Sequence, residues 1–488
     1  MLFNSAIFIF GFLPLTLLGW YGLNRIKLHR PSLWFLCAAS LFFYGYFHPA
    51  YLILILSSIA VNYLFILALR HIRKGRKALL VLGITANLGL LGYFKYTDFL
   101  IGIINDLAGK DYPLKNILLP LGISFYTLQQ LSCLIDTCRT PEKALRFDEY
   151  AAYVCFFPQL IAGPIVLSDE LIPQFRDLSL RCFDSGRFSK GISLFILGLA
   201  KKMLIADLFG RVVDFGFEKI YWIDTPSAWM VALCYAIQLY FDFSAYCDMA
   251  RGLASMFGFS LPENFDSPLK AHGIREHWSR WHMTLTRFFT RYVYIPLGGS
   301  RCGQFRTAFN IFLVFVLSGL WHGAAWTFVI WGALQGLGVL YSRRKHFRLK
   351  EGFVSWFFTF VFIVVSQMIF RSGSIDFMLR MLKAMFTPAG VHFFPELCSC
   401  LAEVPEFYMI TRAVEALAPQ YSAYVCIGLL AVLLLIAAFL LHGRNARQLV
   451  EDEAAKGWRL RFTLLLALLF ACEVVSLNQV STFLYFNF

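Results

Sequence analysis

The chain has 488 residues, of which 58% are hydrophobic and 15% charged, with a mean hydropathy of +0.62. A soluble domain carries roughly 25% charged residues, so this composition excludes disorder, a fibrous repeat and an ordinary water-soluble enzyme; it points to an all-α polytopic membrane protein. The formal net charge of +14 reads as Lys and Arg gathered in cytoplasmic loops, because no basic domain stands apart from the apolar runs to hold nucleic acid.

Met1 to Asn24 has no charge and no small-residue cleavage site, and the basic group Arg25, Lys27, His29 and Arg30 follows it. That is an uncleaved span with the N-terminus outside. Pro31 to Leu69 is long enough for two helices hinged near His48-Pro49, and Arg70 to Lys77 forms a cytoplasmic loop. Ala78 to Phe94 crosses outward and Asn116 to Ile135 returns. Tyr150 to Ser168 is uncharged but broken by Pro158, Gly163 and Pro164; a bent or re-entrant segment fits, and such backbone is tolerated in a membrane only when protein buries it.

Gly191 to Ala200 is short and runs into Lys201-Lys202, whereas Thr225 to Phe241 is a clearer span. Thr307 to Ser342 has no Lys, Arg, Asp or Glu and is flanked by basic groups, Arg301 and Arg306 before and Arg343, Arg344 and Lys345 after. At about 1.5 Å per residue it is too long for one crossing, so a broken pair of helices entering and leaving on the cytoplasmic side is expected. Gly352 to Phe370 crosses outward, the segment at about 372–415 stays outside or lies along the membrane, and Ala416 to Leu441 returns. Arg444 to Arg461 is a cytoplasmic loop, and the last span leaves the C-terminus outside. The expectation is a single membrane domain over 1–488 with nine to twelve membrane segments and both termini periplasmic.

Polar residues inside apolar segments are functional candidates. His322 lies near the middle of the long uncharged stretch, among Ser318, Gly319, Gly323, Ala324 and Ala325. These small residues let a substrate or another backbone approach closely; the alternative is a core histidine tied to a carbonyl. Upstream, Lys270 to Arg306 holds seven Lys/Arg and one Glu interleaved with aromatics, Trp278 and Trp281 among them. It is either an interfacial helix with its basic side toward lipid phosphates or a basic mouth for an anionic donor. Arg280 is the best single residue for a phosphate, with pairing to Glu276 as the alternative, and His282 is the second titratable group of interest. Asp248 is expected to pair with Arg251, and Lys95 and Glu473, which end apolar runs, to reach to the interface.

Other chemistries find no support. His272 and His277 are one residue too far apart for the H-x-x-E-H metal motif, and five residues turn about 140° around a helix. There is no GxxxxGK[ST] loop and no GxSxG elbow. The 12 cysteines are scattered, and the one close pair, Cys398-Ser-Cys400, has no common zinc spacing. No metal is expected.

Seven pieces in order carry a family resemblance: Pro120-Leu-Gly-Ile-Ser-Phe-Tyr126, Phe157-Pro-Gln-Leu-Ile-Ala-Gly-Pro164, Tyr240-Phe-Asp-Phe-Ser-Ala-Tyr-Cys-Asp248, Leu261-Pro-Glu-Asn-Phe265, Arg280-Trp-His282, Tyr294-Ile-Pro-Leu-Gly-Gly299 and Gly319-Leu-Trp-His-Gly-Ala324. The chain resembles the membrane-bound O-acyltransferases, most closely the bacterial branch that O-acetylates alginate and other exopolysaccharides. The resemblance implies a ring of transmembrane and re-entrant helices with a funnel from each face meeting near a histidine, and a catalytic half at about 225–342. It implies His322 as the catalytic histidine and His282 as its companion. Around that pair the expected donor mouth is Arg280, Trp278 and Trp281, and the expected substrate contacts are Trp321, Asn264 and Asp242. Relative to the family pattern, His277 stands where an aromatic is usual, Gln335 where a histidine is usual, and Thr284 and Thr286 where serines are commoner.

The implied reaction is O-acylation. An acetyl group passes from a cytoplasmic thioester, acetyl-CoA being the implied donor, through the inner membrane toward an extracytoplasmic polysaccharide. No resident cofactor is implied, and the partner implied is a periplasmic SGNH-type acetyltransferase. Two alternatives stay open at this point: D-alanyl transfer to teichoic acids by a related protein, and a lipid or polysaccharide transporter without chemistry.

Overall fold

The computed structural model describes residues 1–343, 352–388, 390–477 and 481–484, and among these the secondary structure is helical. Arg344 and Lys345 lie outside the described residues. Among the described residues seven helices are long and apolar enough to cross a membrane, including Ala50–His71, Arg76–Ala108, Thr225–Met256, Gln304–His322 and Phe353–Arg371. Helices of 17 residues at His29–Gly45, Ile123–Arg139 and Leu460–Ser476 accompany them.

The expected breaks occur. The chain turns at Tyr46–Pro49 between helices His29–Gly45 and Ala50–His71. The proline- and glycine-broken stretch forms Phe147–Cys155, then one turn, Phe157–Leu160, then non-helical chain to Ser168. The long uncharged stretch is the pair Gln304–His322 and Trp326–Arg343. Glycines let this pair close up: a Cβ on Gly319 would lie 2.3 Å from the carbonyl oxygen of Phe328, and one on Gly332 would lie 2.5 Å from that of Phe315.

The helix around Lys201-Lys202 differs from its expected short form. Ser185–Ala200 runs through a π-helical stretch, Lys201–Ala206, into Asp207–Glu218. The helix can carry two buried lysines because each has a carboxylate. Lys201 Nζ lies 2.6 Å from Asp248, and Lys202 Nζ lies 2.6 Å from Asp242 and 2.8 Å from Asp207. Asp248 therefore pairs with Lys201 and not with Arg251. Glu473 does not reach to an interface either; it is fully buried.

Contacts far apart in sequence knit each end of the bundle. At one end Tyr21 Oη donates to the Met256 carbonyl at 2.5 Å, Arg447 pairs with Glu263 at 2.9 Å and Arg291 with Asp136 at 2.9 Å. At the other, short helices Ile375–Phe386 and Phe394–Ser399 pack on the start of Thr225–Met256. There Asp224 accepts from the N–H groups of Ser227 at 3.0 Å and of His392 and Phe393 at 2.7 Å. Burial pulls its carboxyl upward, but these donors outweigh burial and hold it below the usual carboxylate range.

Candidate active site

His322 is the last residue of Gln304–His322, and Gly323 leaves the helix in extended backbone. The histidine is buried, 3% exposed, in a cage of rings. The centroids of Trp321, Phe370 and Trp331 lie 4.9, 5.3 and 5.4 Å from that of His322. Phe328 packs so tightly on Gly323 that a Cβ there would meet its ring at 1.9 Å.

Lys95 closes the end of this helix. Its ammonium donates to the carbonyl oxygens of Trp321 at 2.6 Å and His322 at 2.9 Å, and Tyr96 Oη donates to that of Leu320 at 2.6 Å. The last carbonyls of a helix lack intrahelical partners, and these three take theirs from the Arg76–Ala108 helix. The expectation that Lys95 reaches to the interface is thereby corrected: a helix C-terminus attracts it instead.

His282 faces His322 with ring centroids 6.2 Å apart and planes inclined 59°. It is fully buried and holds a left-handed backbone, φ 44° and ψ 50°, between helices Ile274–Arg280 and Met283–Phe289. Few non-glycine residues adopt that conformation, and Asn264 secures it. The Asn264 carbonyl accepts from Met283 N at 3.0 Å, and its Oδ1 accepts from Thr284 N at 3.2 Å and Thr284 Oγ1 at 2.9 Å. Because the Thr284 N–H fixes Oδ1 as the inward atom, the contact of 3.1 Å from His282 Nδ1 to Oδ1 places the ring proton on Nδ1 and leaves Nε2 as the basic nitrogen. Thr284 Oγ1 also accepts from Ile165 N at 3.0 Å, which ties the early broken segment to the site.

Cavities adjoin His322, Phe370 and Lys95. A small one of about 20 Å³ is lined by His322, Trp278, Trp281, His277, Trp331 and Gln335. A large one of about 620 Å³ is lined by Lys202, Asp207, Gln238, Arg371, Phe328 and Phe370, with Ser481, Thr482 and Leu484 on its wall. Phe370 borders both of these. A third, of about 210 Å³, is lined by Lys95, Asp98, Gly323, Ala324 and Phe328. Among the described residues no group of three His, Cys, Asp or Glu is placed to hold a metal ion.

The other expected site residues fall into distinct places. Trp278 and Trp281 are brought beside His322. Arg280 is partly exposed and pairs with Glu276 at 2.8 Å, the alternative that its spacing offers. Trp321 meets His322 edge to face, the planes inclined 73°, and donates from Nε1 to the Ser124 carbonyl at 3.4 Å. Asn264 builds the His282 turn. Asp242 is 1% exposed; Oδ1 is 2.6 Å from Lys202 Nζ and Oδ2 accepts from Leu484 N at 3.0 Å. Sequence reasoning missed Lys95, His277, Gln335 and Trp331 as site residues. The signal for two of them is helical spacing: Gln335 is i+4 from Trp331, on one face. His277 stacks on Trp281, also i+4, with centroids 5.6 Å apart.

Comparison with known proteins adds an independent line. The model of the membrane-bound O-acyltransferase family matches residues 114–375. A peptidoglycan O-acetyltransferase of Helicobacter pylori is 38% identical, covering 100% of this chain and 98% of its own length. A probable alginate O-acetylase of Pseudomonas putida is 39% identical over 79% of this chain and 80% of its own. A teichoic acid D-alanyltransferase of Streptococcus thermophilus is 25% identical over 45% of this chain and 56% of its own.

Proposed function

The chain belongs to the membrane-bound O-acyltransferase family and is an O-acyltransferase of the membrane, and from that premise we propose that it carries an acetyl group from a cytoplasmic thioester across the inner membrane for O-acetylation of an envelope glycan. The observation that supports this reading best is the position of His322, which lines a buried cavity walled by Trp278 and Trp281 and packs 5.3 Å from the ring of Phe370, the residue that this cavity shares with a larger polar one. A site so placed lets the acyl group pass through while its carrier stays on one side.

In this reading the donor is acetyl-CoA, entering past Trp278, Trp281 and the basic segment that holds Arg280. His322 takes the proton of the attacking hydroxyl as its oxygen adds to the thioester carbon, and the departing thiolate receives a proton in return. His282, with Nδ1 held by Asn264, keeps a basic nitrogen toward the site and stabilises the arrangement. Trp321 packs against His322, and Asp242 holds Lys202 in the wall of the larger cavity. The acceptor side is extracytoplasmic, both termini are periplasmic, and the short helices between 375 and 417 offer a ledge to an SGNH-type partner that passes the acetyl group on. Peptidoglycan is favoured as the final glycan, because the peptidoglycan O-acetyltransferase aligns over essentially its whole length while the alginate relative does not. The D-alanyl alternative rests on a match to less than half of this chain.

Sealed membrane vesicles test the sidedness. Inside-out vesicles given radiolabelled acetyl-CoA should place label in base-labile ester on the enclosed glycan, and right-side-out vesicles should not. Equal labelling from both orientations would overturn the proposal.

A further inference from the structure

A residue that lines the small cavity beside His322 carries a buried hydrogen-bond donor without an acceptor among the described residues. Trp331 is 5% exposed and lines that cavity, its ring 5.4 Å from His322 and at 89° to it. Its indole Nε1–H has no hydrogen-bond partner among the described residues. The indole next to it shows the usual condition: Trp278 Nε1 donates to Gln335 Oε1 at 3.2 Å, and Gln335 Nε2 donates to Ser366 Oγ at 2.8 Å. Gln367 Oε1, on the same wall, also lacks a donor among the described residues. A buried donor left unmade bears the full desolvation penalty of the group, and such a group calls for an explanation.

We propose that the Trp331 Nε1–H is the donor that holds the carbonyl oxygen of the acyl group during transfer. The inference rests on the acyl-transfer reading with His322 as base. As the acceptor hydroxyl oxygen bonds to the carbonyl carbon, its proton goes to His322 and the carbonyl π pair moves onto oxygen. That oxygen then accepts the Trp331 hydrogen bond, which strengthens as negative charge develops. The pair returns as the carbon–sulfur bond breaks, and the thiolate takes the proton from His322; the indole proton is never transferred. The size of the cavity agrees. At about 20 Å³ it has room for roughly one water-sized group, the size of a carbonyl oxygen.

The test replaces Trp331 in the full chain, in cells lacking another copy, with β-(3-benzothienyl)alanine, an isostere carrying sulfur in place of N–H. Trp331→Phe is the second variant. The readout is the initial rate at which base-labile acetate appears in envelope glycan after induction, at matched amounts of membrane protein, together with the Tm of the purified protein. We expect the isostere to be slower by about 10²–10³-fold, the effect of losing one such donor, with an unchanged Tm and with Trp331→Phe no faster. A rate within about threefold of wild type would overturn the proposal; so would a lowered Tm with a normal rate, which assigns the N–H to a structural water bridging to Gln367. His322→Ala separates the two levels. If it is inactive while the isostere is normal, only the donor role of Trp331 falls; if it is active, the reading beneath falls too.

Discussion

Lys95 Nζ lies 2.9 Å from the carbonyl oxygen of His322, so a side chain from a helix more than two hundred residues earlier in the chain fixes the end of the helix that carries the histidine. Hydrogen bonds from a charged group are worth about 1.5–3 kcal/mol, and a misplacement of about 1 Å at a reacting group can cost about 10²-fold in rate. Lys95→Met should therefore slow acetylation about 10- to 100-fold and lower Tm, with Lys95→Arg in between. Acetate incorporation at matched protein levels checks this, and a wild-type rate in Lys95→Met would show that the cap is dispensable.

Asn264 gathers the ring of His282 and the N–H and hydroxyl of Thr284 through one amide oxygen. Asn264→Leu leaves the Thr284 N–H and the His282 Nδ1–H buried without an acceptor, at a cost of about 1–3 kcal/mol for each. Asn264→Asp keeps the acceptor and should be milder. Thermal unfolding in detergent reads the difference; equal Tm values for wild type and Asn264→Leu would contradict the role given to Asn264.

The reading of the sequence succeeded where composition and spacing report directly on the backbone. Pro158, Gly163 and Pro164 announced a broken segment, and 36 uncharged residues from Thr307 to Ser342 announced a pair of helices. Small residues around His322 announced a close approach, seen where Gly319 meets Phe328. It fell short where the deciding contact is long-range. Nothing local tells that Lys201 meets Asp248 across 47 positions, or that Lys95 meets His322 across 227. Gln335 stood out only as a departure from the family pattern and His277 as that and as half of a rejected metal motif, and their shared cavity needed the fold.

Lys202 is buried between Asp242 and Asp207. Breaking a buried ion pair by removing one partner costs about 3–5 kcal/mol, because the remaining charge has no water. Lys202→Met should thus sharply reduce the amount of folded protein, and the triple variant with Asp207→Asn and Asp242→Asn should recover much of it. Size-exclusion profiles of the purified variants measure both. A monodisperse, normally abundant Lys202→Met would rule out a structural role for the triad.

Orientation can be read by labelling. With the exposed Cys182, Cys302 and Cys472 replaced by serine, Gln420→Cys should react with an impermeant maleimide on intact spheroplasts. Lys74→Cys and Lys456→Cys should react only after permeabilisation, since Lys and Arg gather on the cytoplasmic side. The reverse pattern would invert the bundle. The segment at 343–350, assigned to the same side from its charges, extends beyond the described residues.

The central claim is that His322 performs the transfer. General-base catalysis typically contributes about 10²–10⁴-fold, so base-labile acetate on the envelope glycan of cells carrying His322→Ala should fall to the level of cells lacking the protein, while the variant accumulates in the membrane and unfolds at the wild-type Tm. Wild-type acetate content in those cells, at equal membrane protein, would contradict the account.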